Sequence, residues 1–371
     1  MFTMFTRLFA ATTAYAASAM LIHHTPESHG LQRVGRAIPI HQDVAASPIV
    51  YRQLTIAGEQ VNAVYINTHA PHVHAFPVIA NNRLGTTASL ASIANANHAI
   101  AAINGTFFNS WSNQFPAGAL EINGQFQTDE KGTLLGFADN GDLWMGRATE
   151  NLSLMVHDAS NPISQLWPWY INIPSDNPLR IDVLTPYFGA FTKDKSAMVA
   201  IVENGRVSAM HQGITPIPRT GYAIELGSSG AMSDVIHRIH VGDPATLSDT
   251  VESLPAAQPI PFTHYPNAIA AGPMLTDGGK IALNPALEGF TNAEINSDTM
   301  RSLVGIDAAG RLVFATIHAA NLSLEAQIAH TLGLVQSMNL DGGSSSGLWL
   351  NGHYIVTPGR NLATAIVVTE S

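Results

Sequence analysis

Short apolar runs separated by turn dipeptides dominate this chain. Ile49 to Ile56 and Val61 to Ile66 alternate or run continuously apolar, and Leu143 to Gly146, Val183 to Leu184, Met198 to Val202 and Gly221 to Leu226 follow. Such runs, bounded by turn residues, predict strands. Asn123-Gly124, Asn140-Gly141 and Asn204-Gly205 fall between apolar segments, and Asn-Gly accepts the positive φ values of a tight hairpin turn. Further on, Ala268 to Leu275 runs into Asp277-Gly278-Gly279-Lys280, Leu303 to Ile306 and Leu312 to Ile317 flank Ala309-Gly310, and Ala365 to Thr369 is the final strand. Asn161 to Pro178, rich in Pro, Trp and Asn, and the similar Pro255 to Pro266 predict irregular excursions.

Two segments carry a helical period instead. Leu324, Ile328 and Leu332 recur at spacings of four, with Ser323 as a candidate N-cap, Glu325 in the first turn and Gly333 at the C′ position. The apolar run Val335 to Leu340 then delivers Asp341-Gly342-Gly343-Ser344-Ser345-Ser346. Upstream, Ser89 to Asn97 is helix-prone, with Leu90 and Ile93 on one face and Asn97 as a left-handed cap. Ile100 to Ile103 then leads into Asn104-Gly105-Thr106-Phe107-Phe108. Both units run helix, cap, buried strand, polar residue, glycine, which predicts that the two loops meet at one site. No period of 20 to 50 residues repeats and no linker breaks 50–371. The expected fold is α+β: a strand-rich single domain over 49–371, of mixed or antiparallel sheets with a few short helices.

Composition narrows the function classes. With 371 residues, 46% apolar and 12% charged, the chain can bury a large core. The formal charge is −10 and no basic run occurs, which excludes a nucleic-acid groove or an anionic membrane surface as the expected partner. Arg7 precedes the apolar, alanine-rich Leu8 to Ala19, and Ala14-Tyr15-Ala16 and Ala17-Ser18-Ala19 have the small-x-small form of a cleavage site. Residues 1–19 are therefore an expected signal peptide and 20–48 a leader, placing the protein in the periplasm or outside the cell. The absence of cysteine rules out disulfides and thiol chemistry.

The chemistry concentrates in the Asp341 loop. A tight turn needs glycines but not a carboxylate on its rim and three hydroxyls behind it, and adjacent glycines free backbone amides to approach a ligand. His318 lies after one strand and before the capped helix, a candidate proton carrier for Asp341. Among the 16 histidines, His69-x-x-His72-x-His74 invites a metal reading, since His72 and His74 would share a face of a strand. No third ligand is near and Pro71 breaks the strand, so an exposed polar connection is expected; no cofactor is called for, with a divalent metal left open. Phe107, Phe108 and Trp349 read as core.

Taken together, the motifs resemble the phosphodiester glycosidase domain family. Leu340-Asp341-Gly342-Gly343-Ser344-Ser345 matches its most specific motif, and Ala102-Ile103-Asn104-Gly105-Thr106-Phe107-Phe108 is similar to its Asn-Gly-Gly-Phe-Phe motif, with Thr106 in place of the second glycine. Ala271-Gly272-Pro273-Met274-Leu275 is similar to a Gly-Gly-Pro-x-Leu element, Arg301-Ser302-Leu303-Val304-Gly305-Ile306 to Arg-Thr-x-x-Gly, and Arg360 to a late arginine. The resemblance implies hydrolysis between a sugar's anomeric carbon and a phosphodiester, with N-acetylglucosamine-1-phosphodiesters as the nearest substrate. It makes Asp341 the carboxylate, acting as nucleophile or as base for water, and Asn104 a group orienting the sugar. Arg301 becomes the first phosphate clamp and Arg360 the second. Gly342, Gly343, Ser344, Ser345, Gly105 and Thr106 would line the substrate. Two other functions compete: a non-catalytic periplasmic glycan- or phosphoglycan-binding protein, and a metal-dependent phosphodiesterase cleaving a P–O bond through the histidines.

Overall fold

Strands buried on both faces organise the molecule. Along the strand Thr299–Asp307, Leu303 points into one apolar cluster and Val304 into another, and the neighbouring strand Leu312–Ala320 divides Val313 and Phe314 the same way. Side chains alternate across a strand, so a continuous apolar run fills two cores at once. The computed structural model describes residues 47–371 apart from 130, 157–164, 167, 169, 174–176 and 292. The expected signal peptide, nearly all of the expected leader and much of the 161–178 excursion lie outside the described residues.

Four sheets are present among the described residues. A seven-stranded sheet has the order Ile49–Ile56, Glu59–Ile66, Leu312–Ala320, Thr299–Asp307, Leu334–Asn339, Met274–Asp277, Lys280–Ile281. A five-stranded sheet runs His353–Val356, Leu348–Leu350, Ala101–Asn104, Thr364–Glu370, Val73–Ile79. An eight-stranded sheet is centred on the long strand Leu143–Val156, and a second five-stranded sheet on Tyr222–Leu226. Pairing is antiparallel among the described strands, except where Tyr170–Ile171 runs parallel to Ile181–Leu184. The main core forms where the first three sheets meet, with Phe314, Val304 and Met338 from the first, Ile103 and Ile366 from the second, and Leu120, Leu135 and Ile269 from the third. Helix Leu322–Thr331 covers the outer face of the first sheet and helix Leu90–Ala96 that of the second. The result is a strand-rich structure of several antiparallel sheets with few helices.

The helix ends differ in detail from the sequence expectation. Asn321, not Ser323, caps helix Leu322–Thr331, its Oδ1 accepting from Leu324 N at 3.0 Å, and Ser323 falls inside the first turn. Gly333 does take the left-handed C′ position, at φ +78°. At the end of helix Leu90–Ala96, Asn97 stays at φ −104° because its amide donates to Ile93 O at 2.8 Å; His98 makes the left-handed turn, at φ +53°. Asn123-Gly124 and Asn204-Gly205 both have two consecutive positive φ values, as their hairpins require. The run Ala268 to Leu275 is not one strand. Gly272-Pro273 splits it, so that Asn267–Ala271 joins the eight-stranded sheet and Met274–Asp277 the seven-stranded one.

Candidate active site

The two loops singled out in the sequence come together. Strand Ala101–Asn104 ends with the Asn104 carboxamide fully buried, its Nδ2 donating to the Asp341 carbonyl at 2.7 Å and its Oδ1 accepting from Gly347 N at 3.0 Å. The Asp341 amide donates in turn to Gly105 O at 3.2 Å. Thr364 ties down the other side, its carbonyl accepting from Gly105 N and its Oγ1 from Thr106 N. A Cβ on Gly105 would lie 2.4 Å from Thr364 Oγ1, so the close approach needs glycine there.

Asp341 lines a cleft of about 530 Å³ with Arg360, Arg301, Gly342, Gly343, Ser297, Thr299, Phe107, Ala117, Phe290 and Ile295. Burial pushes its carboxyl up to about 6, while Ser345, the Arg360 charge and the Gly342 amide pull the other way. Of the two loop glycines only Gly343 has a positive φ, +59°; Gly342 is extended, and a Cβ there would meet Met300 O at 3.2 Å. Ser344 is exposed and Ser345 buried. Arg360 is partly exposed and donates from Nη1 to Ser110 Oγ at 3.0 Å.

Several expected roles change once the partners are known. Asn104 is enclosed, and both ends of its carboxamide are spent on loop backbone. It therefore tethers the Asp341 loop and does not line the cleft. Thr106 is also buried, its hydroxyl turned towards Gly118, where a Cβ would approach it to 2.4 Å; the side chain does not face the cleft. Arg301 is not a free fork. Its Nε donates to Ala320 O, its Nη2 to Ile295 O and Ser297 O, and Glu325 lies 3.9 Å away, leaving Nη1 beside Gly342. His318 is exposed on the wall of a different cavity, with Nδ1 3.9 Å from Glu59, and is not part of the Asp341 cleft. His72 precedes strand Val73–Ile79 with φ +69°, so it shares no strand face with His74, and His69 pairs with Asp142 at 3.0 Å.

Sequence reasoning missed Asn339, Glu288 and Phe290, which support the cleft around Gly272. Asn339 donates from Nδ2 to Gly272 O at 2.8 Å, and its carbonyl accepts from Gly272 N. Gly272, at φ +137°, lies against Glu288 and Phe290. The signal for Gly272 was present in the Gly-Pro element, but nothing local points from there to Phe290.

The strand-rich fold thus brings a carboxylate and an arginine into one cleft beside two Asn/Asp-Gly loops. The phosphodiester glycosidase family model matches residues 196–369, the span holding Gly272, Arg301, Asp341 and Arg360, and so bears out the resemblance read from the motifs. A hypothetical protein of Synechocystis is 28% identical, with a TM-score of 0.72 over 87% of this chain; the chain spans 64% of that protein's length. A Burkholderia pseudomallei protein classed as exported is 18% identical with a TM-score of 0.66, covering 84% of this chain and 74% of that one, and bears on the fold alone. The catalytic domain of zebrafish N-acetylglucosamine-1-phosphodiester alpha-N-acetylglucosaminidase, auto-inhibited by its pro-peptide, superimposes too loosely to bear on the site: 13% identity and a TM-score of 0.40, over 89% of this chain and 86% of that one. No curated protein matches. No helix among the described residues is long and apolar enough to cross a membrane.

Proposed function

We propose that the protein is an exported hydrolase that cleaves the bond between a sugar's anomeric carbon and a phosphodiester, releasing free sugar and a phosphate monoester. The observation that carries this reading is Asp341, a carboxylate raised to about 6 by burial, in one cleft with Arg360. When the anomeric C–O bond breaks, the phosphate monoester departs as a stable anion, which lessens the need for the strong general acid of an ordinary glycosidase. The chemistry needs a carboxylate at the anomeric carbon and a cation for the departing phosphate. Asp341 supplies the first, as nucleophile or as base for water. Arg360 supplies the second, with Arg301 Nη1 at the cleft wall.

Hydrolysis of a methyl phosphodiester of N-acetylglucosamine 1-phosphate in oxygen-18 water tests the reading. Label in the sugar is the expected outcome. Label in the phosphate would mean P–O cleavage, and tight binding without turnover would mean a binding protein; either result overturns the proposal.

A further inference from the structure

One wall of the Asp341 cleft is aromatic. Phe107 and Phe290 are both partly exposed, lie 5.7 Å apart between ring centroids at an interplanar angle of 57°, and line the cleft beside Ala117 and Ile295. Neither ring is part of the apolar clusters that make up the described core. Partly exposed aromatic rings that face a cleft are the usual apolar element of a ligand site, where a few polar groups supply orientation.

Phe290 follows a buried anchor in its loop. Two positions before it, Glu288 is 3% exposed and accepts hydrogen bonds from Thr133 Oγ1 at 2.7 Å, Arg147 Nε at 2.8 Å and Met274 N at 3.0 Å. Gly289 turns the chain at φ +83°. The ring then lies on the Gly272 backbone, where a Cβ would come within 2.9 Å of Phe290 Cε2 and 2.6 Å of Glu288 Oε2. Gly272 is in turn hydrogen-bonded to Asn339, two residues before Asp341. The carboxylate and the ring are thus fixed relative to each other through one buried strand.

We propose that Phe290, together with Phe107, is the platform on which the C–H face of the substrate's pyranose ring rests, and so a specificity-determining residue of the site. The proposal deepens the reading above and rests on it. The cleft offers three kinds of surface: the Asp341 carboxylate, the Arg360 cation and the aromatic wall. A sugar phosphodiester offers three matching parts, namely anomeric carbon, phosphate and sugar ring. With the first two assigned, the rings are left for the sugar's apolar face.

Two probes separate the alternatives by calorimetry: the substrate-like glucose 1-phosphate, which carries sugar and phosphate, and the product-like butyl phosphate, which carries phosphate and an alkyl chain. Phe290→Ala should weaken glucose 1-phosphate about tenfold, the order of one aromatic contact, and leave butyl phosphate within about twofold of wild type. Phe290→Tyr should restore the sugar affinity, and a melt near that of wild type should accompany both variants. Equal affinities in Phe290→Ala and wild type overturn the platform. So does selective loss of butyl phosphate, which would place the leaving group on the wall. If glucose 1-phosphate binds in a Phe290-dependent way but no sugar phosphodiester is hydrolysed, the platform stands and the hydrolase reading falls. If wild type binds neither probe, both fall.

Discussion

Asn104 and Asp341, separated by 237 positions in the chain, are joined by a 2.7 Å hydrogen bond from the Asn104 side-chain amide to the Asp341 carbonyl. The same carboxamide accepts from Gly347 N at 3.0 Å, so one buried side chain spans both ends of the Asp-Gly-Gly-Ser loop. Asn104 is one of several tethers on this loop, beside Asp341 N to Gly105 O, Ser346 Oγ to Met300 O and Gly359 N to Ser344 O.

Asn104→Ala therefore tests positioning. It leaves a buried carbonyl and a buried N–H unpaired, which costs roughly 2 kcal/mol or more. Turnover should fall at least about tenfold with a smaller change in KM, because displacement by a fraction of an ångström spoils the attack geometry. Thermal melts and kcat/KM measured together check this. A folded variant with full turnover would show that the loop holds its shape without Asn104.

Asp341→Asn should abolish turnover while leaving ligand affinity nearly intact. Loss of a nucleophile or base typically costs hundredfold or more, about 3 kcal/mol in the barrier. The variant should melt no lower than wild type at pH 7.5, because the substitution removes a carboxylate that burial disfavours in its charged form. Turnover within a few-fold of wild type would make Asp341 structural.

The pH profile carries the same assignment. With Asp341 raised to about 6 and needed as the anion, kcat/KM should fall tenfold per unit below that value and level off above it. Arg360 attracts the carboxylate and lowers its value, so Arg360→Gln should move the acidic limb to higher pH as well as weaken phosphate-bearing ligands. An unmoved limb would separate the two residues electrostatically.

Glu325 gives a stability test outside the chemistry. It is fully buried in the first turn of helix Leu322–Thr331, and desolvation raises it to about 8 against the pull of Arg301. Its folded value exceeds the ordinary 4.5, so its contribution is full below about pH 4.5 and is lost as pH rises through about 8. Glu121, raised to about 8 by burial, acts in the same direction. Wild type should melt higher at pH 5.5 than at pH 8.5. Glu325→Gln should narrow that difference by stabilising the protein on the alkaline side. Melting curves that ignore pH across this range would contradict both assignments.

Arg301→Lys should cost stability first. Three main-chain carbonyls, of Ala320, Ile295 and Ser297, accept from the guanidinium, and a lysine ammonium cannot reproduce that fork. A loss of roughly 2–3 kcal/mol is expected, at about 1 kcal/mol per bond. Denaturant titration would check it, and an unchanged midpoint would mark Arg301 as a ligand residue rather than a structural one.

What the sequence determined by itself was local. Apolar runs punctuated by Asn-Gly and Asp-Gly-Gly specify strands and hairpins, and a four-residue apolar period with Gly333 beyond it specifies helix Leu322–Thr331 and its end. The repeated order of helix, strand and Asn/Asp-Gly loop was enough to anticipate that residues 104 and 341 meet. Tertiary structure decided everything that depends on which partner a polar side chain finds. Arg301 and Arg360 look alike in the sequence, yet one donates to three carbonyls beside a buried Glu325 and the other stands partly exposed beside Ser110. His318 lies close to the capped helix in sequence, but it is exposed near Glu59, on a different cavity from Asp341. Phe290 carries no motif; only the buried Glu288 and the bare backbone of Gly272 bring its ring to the cleft. Local patterns encode local geometry through period and turn chemistry. A cleft is built from contacts between residues hundreds of positions apart, and only packing selects those.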